Sequence, residues 1–279
     1  MRLRSLLFVP GDRPERFAKA AASGADALIL DLEDSVAPEK KPEARAAVAE
    51  WLAGNRQLPC LVRINPIDGG EARADLDAVL TKRPDGIVLP KAEGVASVRT
   101  LVSMAWGDCP PILPIATETP AAVFALGDYA EVAGQLLGLT WGAEDLPAAI
   151  GATGSREDDG SYTPPYQMVR ALTLFGAHAA GVAPIETVFP NIADEAGLAA
   201  YVARGRRDGF TGMMAIHPAQ IAAINAGFSP SEAEIEHARA IVQAFADHPG
   251  AGALKLGGKM IDQPHLKQAR AVLARASLN

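Results

Sequence analysis

The sequence predicts a (β/α)8 TIM barrel with a C-terminal helical extension, and three observations carry the prediction. Apolar strand-like runs alternate with alanine-rich segments of helical period, the rhythm of parallel strands joined by crossover helices. Eight such runs can be counted, the number that closes a barrel. Five of them stop at charged residues: Leu28 to Asp31-Leu-Glu33-Asp34, Leu61 to Arg63-Ile-Asn65, Ile87 to Pro90-Lys91-Ala-Glu93, Ile112 to Glu118, and Leu136 to Glu144-Asp145. The carboxyl ends of barrel strands converge on one rim, where barrel enzymes assemble their active sites from groups distant in sequence. The pattern therefore predicts a rim with several carboxylates, one arginine and one lysine, suited to a divalent cation and an anionic substrate.

The strands are expected near residues 4–9, 27–31, 60–65, 86–90, 112–116, 136–141, 183–188 and 213–217. Helices are expected between them near residues 14–23, 41–53, 75–82, 95–105, 120–126, 165–180 and 193–207, the first led by Pro14, which suits an opening helical turn. The connection from Asp145 to Pro165, with Gly151, Gly154 and Gly160, is too long for a plain turn and reads as a lid or binding loop. Beyond the eighth unit, Ser229-Pro-Ser-Glu reads as a capping box opening a helix. A Gly-rich hairpin-like stretch at 248–258 then leads to Lys259-Met-Ile-Asp262-Gln-Pro264 and a last helix. The division is a barrel catalytic domain at 1–227 and an extension at 228–279, expected to pack on or over a neighbouring subunit's active site.

Composition bounds the function. At 279 residues and 49% hydrophobic content the chain can build one barrel of about 250 residues plus a small appendage. It has no apolar run long enough for a membrane span, and the apolar part of residues 1–10 is short for a secretory signal, so that stretch reads as the first strand. Two cysteines, Cys60 and Cys109, lack the spacing of a zinc site or a disulfide framework, which fits a reducing, cytoplasmic setting. A net charge of −7 without a basic block leaves no footprint for nucleic acid, so anionic substrates must meet local arginines and lysines.

Glu118 and Asp145 follow the fifth and sixth strands, which sets their carboxylates on adjacent staves. Such a pair suits magnesium, which leaves its other positions to water and substrate oxygens; caps for the next helices are the plainer use of the same acids. Arg63 ends the third strand and would point into the mouth, to hold a carboxylate or a developing enolate oxygen, to pair with Asp31 or Glu33, or both. Lys91 is either a substrate-side cation or a partner of Glu93. Asp262, just before Pro264, has the position of a helix N-cap.

Seven strings occur in order: Leu7-Phe8-Val9-Pro10-Gly11-Asp12-Arg13-Pro14-Glu15-Arg16-Phe17, Asp31-Leu-Glu-Asp34, Val62-Arg-Ile-Asn65, Leu89-Pro-Lys91, Gly142-Ala-Glu-Asp145-Leu, Ile216-His-Pro-Ala-Gln220 and Gly258-Lys-Met-Ile-Asp262. With these the chain resembles citrate lyase beta-subunit-like and malyl-CoA lyase-type proteins of the HpcH/HpaI aldolase group, from about Leu3 to Ala274. The resemblance implies a magnesium-dependent carbon–carbon lyase that cleaves or forms a 3-hydroxyacyl-CoA such as malyl-CoA or citramalyl-CoA, giving acetyl-CoA or a related acyl-CoA and a 2-oxo acid. A malyl-CoA-type thioesterase on the same site is an alternative, as is the beta subunit of a multi-subunit citrate lyase acting on an acyl-carrier thioester.

The resemblance also implies roles by position. It makes Glu118 and Asp145 the metal ligands, Arg63 the contact to substrate carboxylate and enolate, and Asp262, reaching a neighbouring subunit's site, the acid/base. Arg13 and Lys91 become substrate contacts, Arg16 and Lys19 receivers of CoA phosphates, and the assembly a homotrimer or hexamer. His217 reads as a structural partner. Three departures stand at strand ends: Gly212-Met213-Met214-Ala215 lacks a lysine common in the relatives, Glu186 replaces a shorter aspartate, and Thr117 replaces an isoleucine.

Overall fold

The structure, a computed structural model, describes residues 1–106 and 108–277. Its first unit spans residues 1 and 3–225; the second comprises Arg2 and the described residues from 226 to 277. In the first, each strand hands on to a helix: β1 (Ser5–Pro10), α1 (Phe17–Ala21), β2 (Ala27–Asp31), α2 (Lys41–Ala53), β3 (Cys60–Arg63), α3 (Ala72–Val79), β4 (Gly86–Leu89), α4 (Gly94–Met104) and β5 (Ile112–Pro114). There follow α5 (Pro120–Phe124), β6 (Gly138–Thr140), α6 (Asp145–Ile150), α7 (Pro164–Ala180), β7 (Ala183–Glu186), α8 (Glu195–Asp208), β8 (Gly212–Ala215) and α9 (Ile221–Phe228).

The eight strands pair in parallel in the order β5-β4-β3-β2-β1-β8-β7-β6. The ring closes between β5 and β6 through the parallel bridges Ile112–Leu136 and Ile115–Thr140, with Leu137 N–H donating to the Ile112 carbonyl at 2.7 Å. The expected (β/α)8 barrel is the fold. Because side chains alternate across a strand, one parity of each stave fills the barrel: Leu6, Ala27, Ile29, Leu61, Val88, Leu113, Ile115, Ile185 and Met214 form the interior cluster. The opposite parity, including Leu7, Leu28, Leu30, Val62 and Ile87, is equally buried and faces the helices. None of the described helices is long and apolar enough to cross a membrane.

Three expectations are revised. The 145–165 connection is not irregular throughout, since Asp145–Ile150 forms α6 and ends at Gly151 in the left-handed region (φ 68°), leaving 151–163 as the loop. Residues 128–135, read as a connection, form a 3-10 helix with a kink at Val132. The first helical segment begins as a 3-10 turn at Pro14–Arg16 before α1.

The second unit contains α10 (Glu232–Asp247), an antiparallel hairpin of β9 (Ala253–Leu256) and β10 (Lys259–Asp262), and α11 (Gln263–Ala276). The hairpin turns on Gly257 and Gly258, both at positive φ. Its core packs Ala238, Ile241 and Phe245 against Ile261, Leu266 and Ala269. The capping box of α10 is Ser231 with Glu234, two residues later than the Ser229 frame, because Ser229 is still bonded to the last turn of α9 through the Ala226 carbonyl.

Candidate active site

Strand parity places the site. Continuing the inward-facing series past the apolar layers brings Phe8 and Pro10 from β1, Asp31 from β2, Arg63 from β3, Ile115 after β5, Gly142 after β6, Thr187 after β7, Met214 from β8 and Ile216 just after it to one cavity of about 320 Å³ at the carboxyl ends of the strands. Asp34, Ser35, Glu118, Glu144, Asp145, Ala143 and Val188 complete its wall. One side is apolar, through Phe8, Ile115, Val188, Met214 and Ile216. Its charges come from Asp31, Asp34, Arg63, Glu118, Glu144 and Asp145.

Asp31 and Arg63 are direct cross-strand partners in the β2–β3 register, which is why they meet as two forks: Nε donates to Asp31 Oδ1 at 2.6 Å and Nη2 to Oδ2 at 2.7 Å. Arg63 Nη1 lies 2.9 Å from Glu33 Oε2 and 3.6 Å from Asp34 Oδ2, and its guanidinium carbon stands 5.0 Å from the centre of the Phe8 ring. Burial alone would raise the Asp31 carboxyl; the hydrogen bonds and charge of Arg63, with N–H groups of Ser35 and Glu33, hold it below the usual range instead. Burial likewise opposes the charge on Arg63, and the surrounding acids more than restore it. The turn carrying Glu33 is clamped from outside the mouth by Lys41, whose ammonium donates to the Leu32 and Glu33 carbonyls at 3.0 and 3.2 Å and to Asn65 Oδ1 at 2.5 Å.

Across the mouth, Lys91 takes a left-handed backbone (φ 48°) at the exit of β4. Its N–H donates to Glu118 Oε2 at 2.6 Å, while its ammonium donates to Glu33 Oε1 at 2.9 Å and lies 3.8 Å from Asp145 Oδ1. Glu118 is 4% exposed. Burial pushes its carboxyl up to about 8, the Lys91 N–H pulls against this, and the charges of Asp145 and Glu33 push further up. Glu33 is raised too, by burial in the first place, against the attraction of Arg63 and Lys91. Acids thus outnumber bases here, and the excess falls on Glu118 and Asp145.

That donor set fits a hard divalent cation, because a positive ion beside Glu118 would offset both its burial and the repulsion from its acidic neighbours. Among the described residues no group of three or more His, Cys, Asp or Glu side chains is arranged for a metal. Glu118 and Asp145 would hold an ion whose remaining positions go to water and substrate oxygens, the usual habit of magnesium.

The structure brings Arg63, Glu118 and Asp145 around one cavity, with Lys91 bridging the two acids. Of the two readings of Lys91, the partner is Glu33 and not Glu93, which accepts from the Thr119 hydroxyl at 2.6 Å; the left-handed turn at Lys91 aims it across the mouth. Arg13 and Arg16 are exposed beside Asp12 and Glu15 at 3.8 and 3.9 Å, Lys19 is exposed on α1, and none of the three lines the cavity. Asp262 lies in the second unit at the N-cap of α11, 2.5 Å from His265 Nδ1, a bond that holds its carboxyl below the usual range. His217 caps the turn at Pro218–Gln220, its Nδ1 accepting from the Ala219 N–H at 3.2 Å. Sequence reasoning gave Gly142 no role. A Cβ there would sit 2.8 Å from Glu118 Cγ and 3.0 Å from Oε1, so the missing side chain is the space Glu118 occupies; only its position opposite an acid on the next stave could have signalled this.

A parallel eight-stranded barrel with acids and bases gathered at the carboxyl ends of its strands is the active-site architecture of (β/α)8 enzymes. The chain belongs to the HpcH/HpaI aldolase/citrate lyase family, which it matches over residues 4–218. It is 36% identical over 270 residues to the citrate lyase subunit beta-like protein of Mycobacterium tuberculosis, covering 97% of this chain and 94% of that one. It is 35% identical over 284 residues to a (3S)-malyl-CoA thioesterase of Cereibacter sphaeroides, covering 98% and 94%. The crystal structure of Mycobacterium tuberculosis protein CitE in complex with magnesium, acetoacetate and coenzyme A superposes with a TM-score of 0.84 at 34% identity over 99% of this chain and 98% of that one.

Proposed function

We propose that the protein is a magnesium-dependent carbon–carbon lyase that cleaves, or forms, a 3-hydroxyacyl-CoA of the malyl-CoA or citramalyl-CoA type, releasing acetyl-CoA or a related acyl-CoA and a 2-oxo acid. The observation that carries the reading is the cavity itself: two carboxylates that repel one another, Glu118 and Asp145, stand beside a cationic pair, Arg63 and Lys91, in a mouth with one apolar wall. A relative solved with magnesium, acetoacetate and coenzyme A supports the same ligand classes here.

Glu118 and Asp145 would hold magnesium, which would supply Lewis-acid polarisation to the 2-oxo-acid half. Arg63 and Lys91 offset the negative charge of that half; with its fork held by Asp31 and its Nη1 beside Glu33, the Arg63 guanidinium meets substrate as a charge fixed in place by these acids. The bond to be broken joins the hydroxyl-bearing carbon to the carbon next to the thioester. Its electrons pass to the thioester as an enolate, the hydroxyl proton passes to solvent water, and the enolate carbon takes a proton. Asp262 of a neighbouring subunit is the group we assign to that last transfer, in either direction. Arg13, Arg16 and Lys19 we assign to the CoA phosphates, on an exposed helix where long cations meet anions without prior burial.

The homo-oligomer, trimer or hexamer, has a candidate surface in α7, where Met168, Leu172 and Phe175 repeat at helical spacing and remain exposed. Two unpaired cysteines, Cys60 and Cys109, fit a cytoplasmic setting. The identity with a malyl-CoA thioesterase supports hydrolysis as a second reading. Purified protein with magnesium and a panel of hydroxyacyl-CoA esters separates the two by mass spectrometry: a lyase yields a 2-oxo acid and a shortened acyl-CoA, whereas a thioesterase yields free CoA and the intact hydroxy acid. No turnover of any CoA ester would leave the third reading, a subunit acting on an acyl-carrier thioester.

A further inference from the structure

We infer that Trp141 is a positioning residue for the rim, acting through its hydrogen bond to Glu186. Both belong to the parity that faces away from the barrel interior. Thr140 pairs with Ile185 in the β6–β7 register, so Trp141 and Glu186 are the next step along the two strands. Each is fully buried. The indole N–H donates to Glu186 Oε1 at 2.6 Å, and Trp141 is directly followed by Gly142-Ala143-Glu144-Asp145, four consecutive residues of the cavity wall.

Glu186 is the anchor. Its Oε1 also accepts from Tyr201 OH on α8 at 2.9 Å and from the Thr187 N–H at 3.0 Å, and Oε2 accepts from Arg170 on α7 at 2.7 Å. Arg170 in turn donates to Asp208 at 2.7 Å. One carboxylate thus ties two wall segments, 142–145 and 187–188, to two outer helices. The Trp141 ring stands edge-on to Tyr162 at 5.0 Å, which fixes its second face. Residues 142–144 contain no regular element before α6 begins at Asp145; Gly142 is held on the barrel side by the Thr117 hydroxyl, which accepts from its N–H at 3.1 Å and donates to its carbonyl at 3.2 Å, and the indole bond is the tether on the helix side. A shift there moves Gly142 against Glu118 and carries Asp145 with it.

The inference rests on the proposed function only for its consequence at the ion; the tether itself is tested without one. Trp141→Phe removes the donor that holds the rim, and Tyr201→Phe removes a donor to the same Oε1 atom from α8. Amide hydrogen exchange is measured on both metal-free variants, and manganese affinity by paramagnetic resonance. Trp141→Phe is expected to speed exchange at residues 142–146 about ten-fold, the equivalent of one hydrogen bond to a charged group, and to weaken manganese binding by a similar factor. Tyr201→Phe is expected to leave both within about two-fold. Unchanged exchange at 142–146 in Trp141→Phe, or equal acceleration in the two variants, overturns the inference, whatever the protein does with CoA esters. Should Trp141→Phe not fold, Trp141→Met, which also lacks the N–H donor, is compared with Tyr201→Phe under the same two outcomes. If the parent binds no manganese while the exchange result holds, it is the metal reading that falls, and the tether stands.

Discussion

Gly142→Ala tests the site by the smallest possible change. The added Cβ would lie 2.8 Å from Glu118 Cγ, 3.0 Å from its Oε1 and 3.2 Å from Ile115 Cγ2. Carbon atoms rest at about 3.5–4.0 Å, so Glu118 must withdraw by roughly 0.7 Å or more. It cannot do so freely, because its other oxygen is held by the Lys91 N–H at 2.6 Å. Misplacing a reacting group by about 1 Å costs on the order of 100-fold in rate, or about 2.7 kcal/mol of barrier. Overpacking a buried site costs about 1–3 kcal/mol of stability, which in a chain of this size moves the thermal midpoint by a few degrees. The prediction is a folded variant with kcat reduced about 100-fold and a raised magnesium requirement, read by product formation across a magnesium titration beside a melting curve. A variant with parental kcat and magnesium dependence would refute the argument that Glu118 must occupy this space.

Four further outcomes are expected. Because Glu118 stands at about 8 in the folded chain against an ordinary 4.5, the metal-free native state keeps a proton that the unfolded chain releases; metal-free stability should therefore fall as pH rises through that window, by at most a few kcal/mol, and Glu118→Gln should flatten the profile, as urea titrations between pH 5 and 9 would show. For the same reason ion binding near pH 7 should release protons, seen as a buffer-dependent calorimetric heat that Glu118→Gln abolishes. Arg63→Ala should destabilise by about 3–5 kcal/mol, since it strands Asp31 at 1% exposure without its partner; Asp31→Asn combined with Arg63→Met should recover part of that loss in urea unfolding. Asp262→Asn should melt within a few degrees of the parent, its partly exposed carboxylate meeting His265, yet lose at least about 100-fold in kcat.

Strand and helix alternation was legible because each βα unit carries its own hydrophobic period, and the 41–53 helix was read to the residue. The Arg63 ion pair was legible in part: the sequence offered Asp31 or Glu33 as its partner, and the β2–β3 register sets Asp31 directly opposite, with Glu33 meeting the remaining Nη1. Lys91 was half legible. Its place at the rim followed from the strand count, but its partner depended on a left-handed residue that nothing short of the backbone reveals. The network around Glu186 could not be read, since its donors come from β6, α7 and α8 and share no motif or spacing. The short helix at 145–150 was missed for a local reason: Asp145-Leu-Pro-Ala-Ala-Ile holds barely more than one turn, too few residues for a period to show.

The central claim is that Glu118 and Asp145 jointly hold a divalent cation. Anomalous diffraction from a crystal soaked in manganese tests it most directly. The account predicts a single strong peak within about 2.0–2.3 Å of a carboxylate oxygen from each residue. A peak elsewhere, or none in a crystal of catalytically active protein, would contradict it.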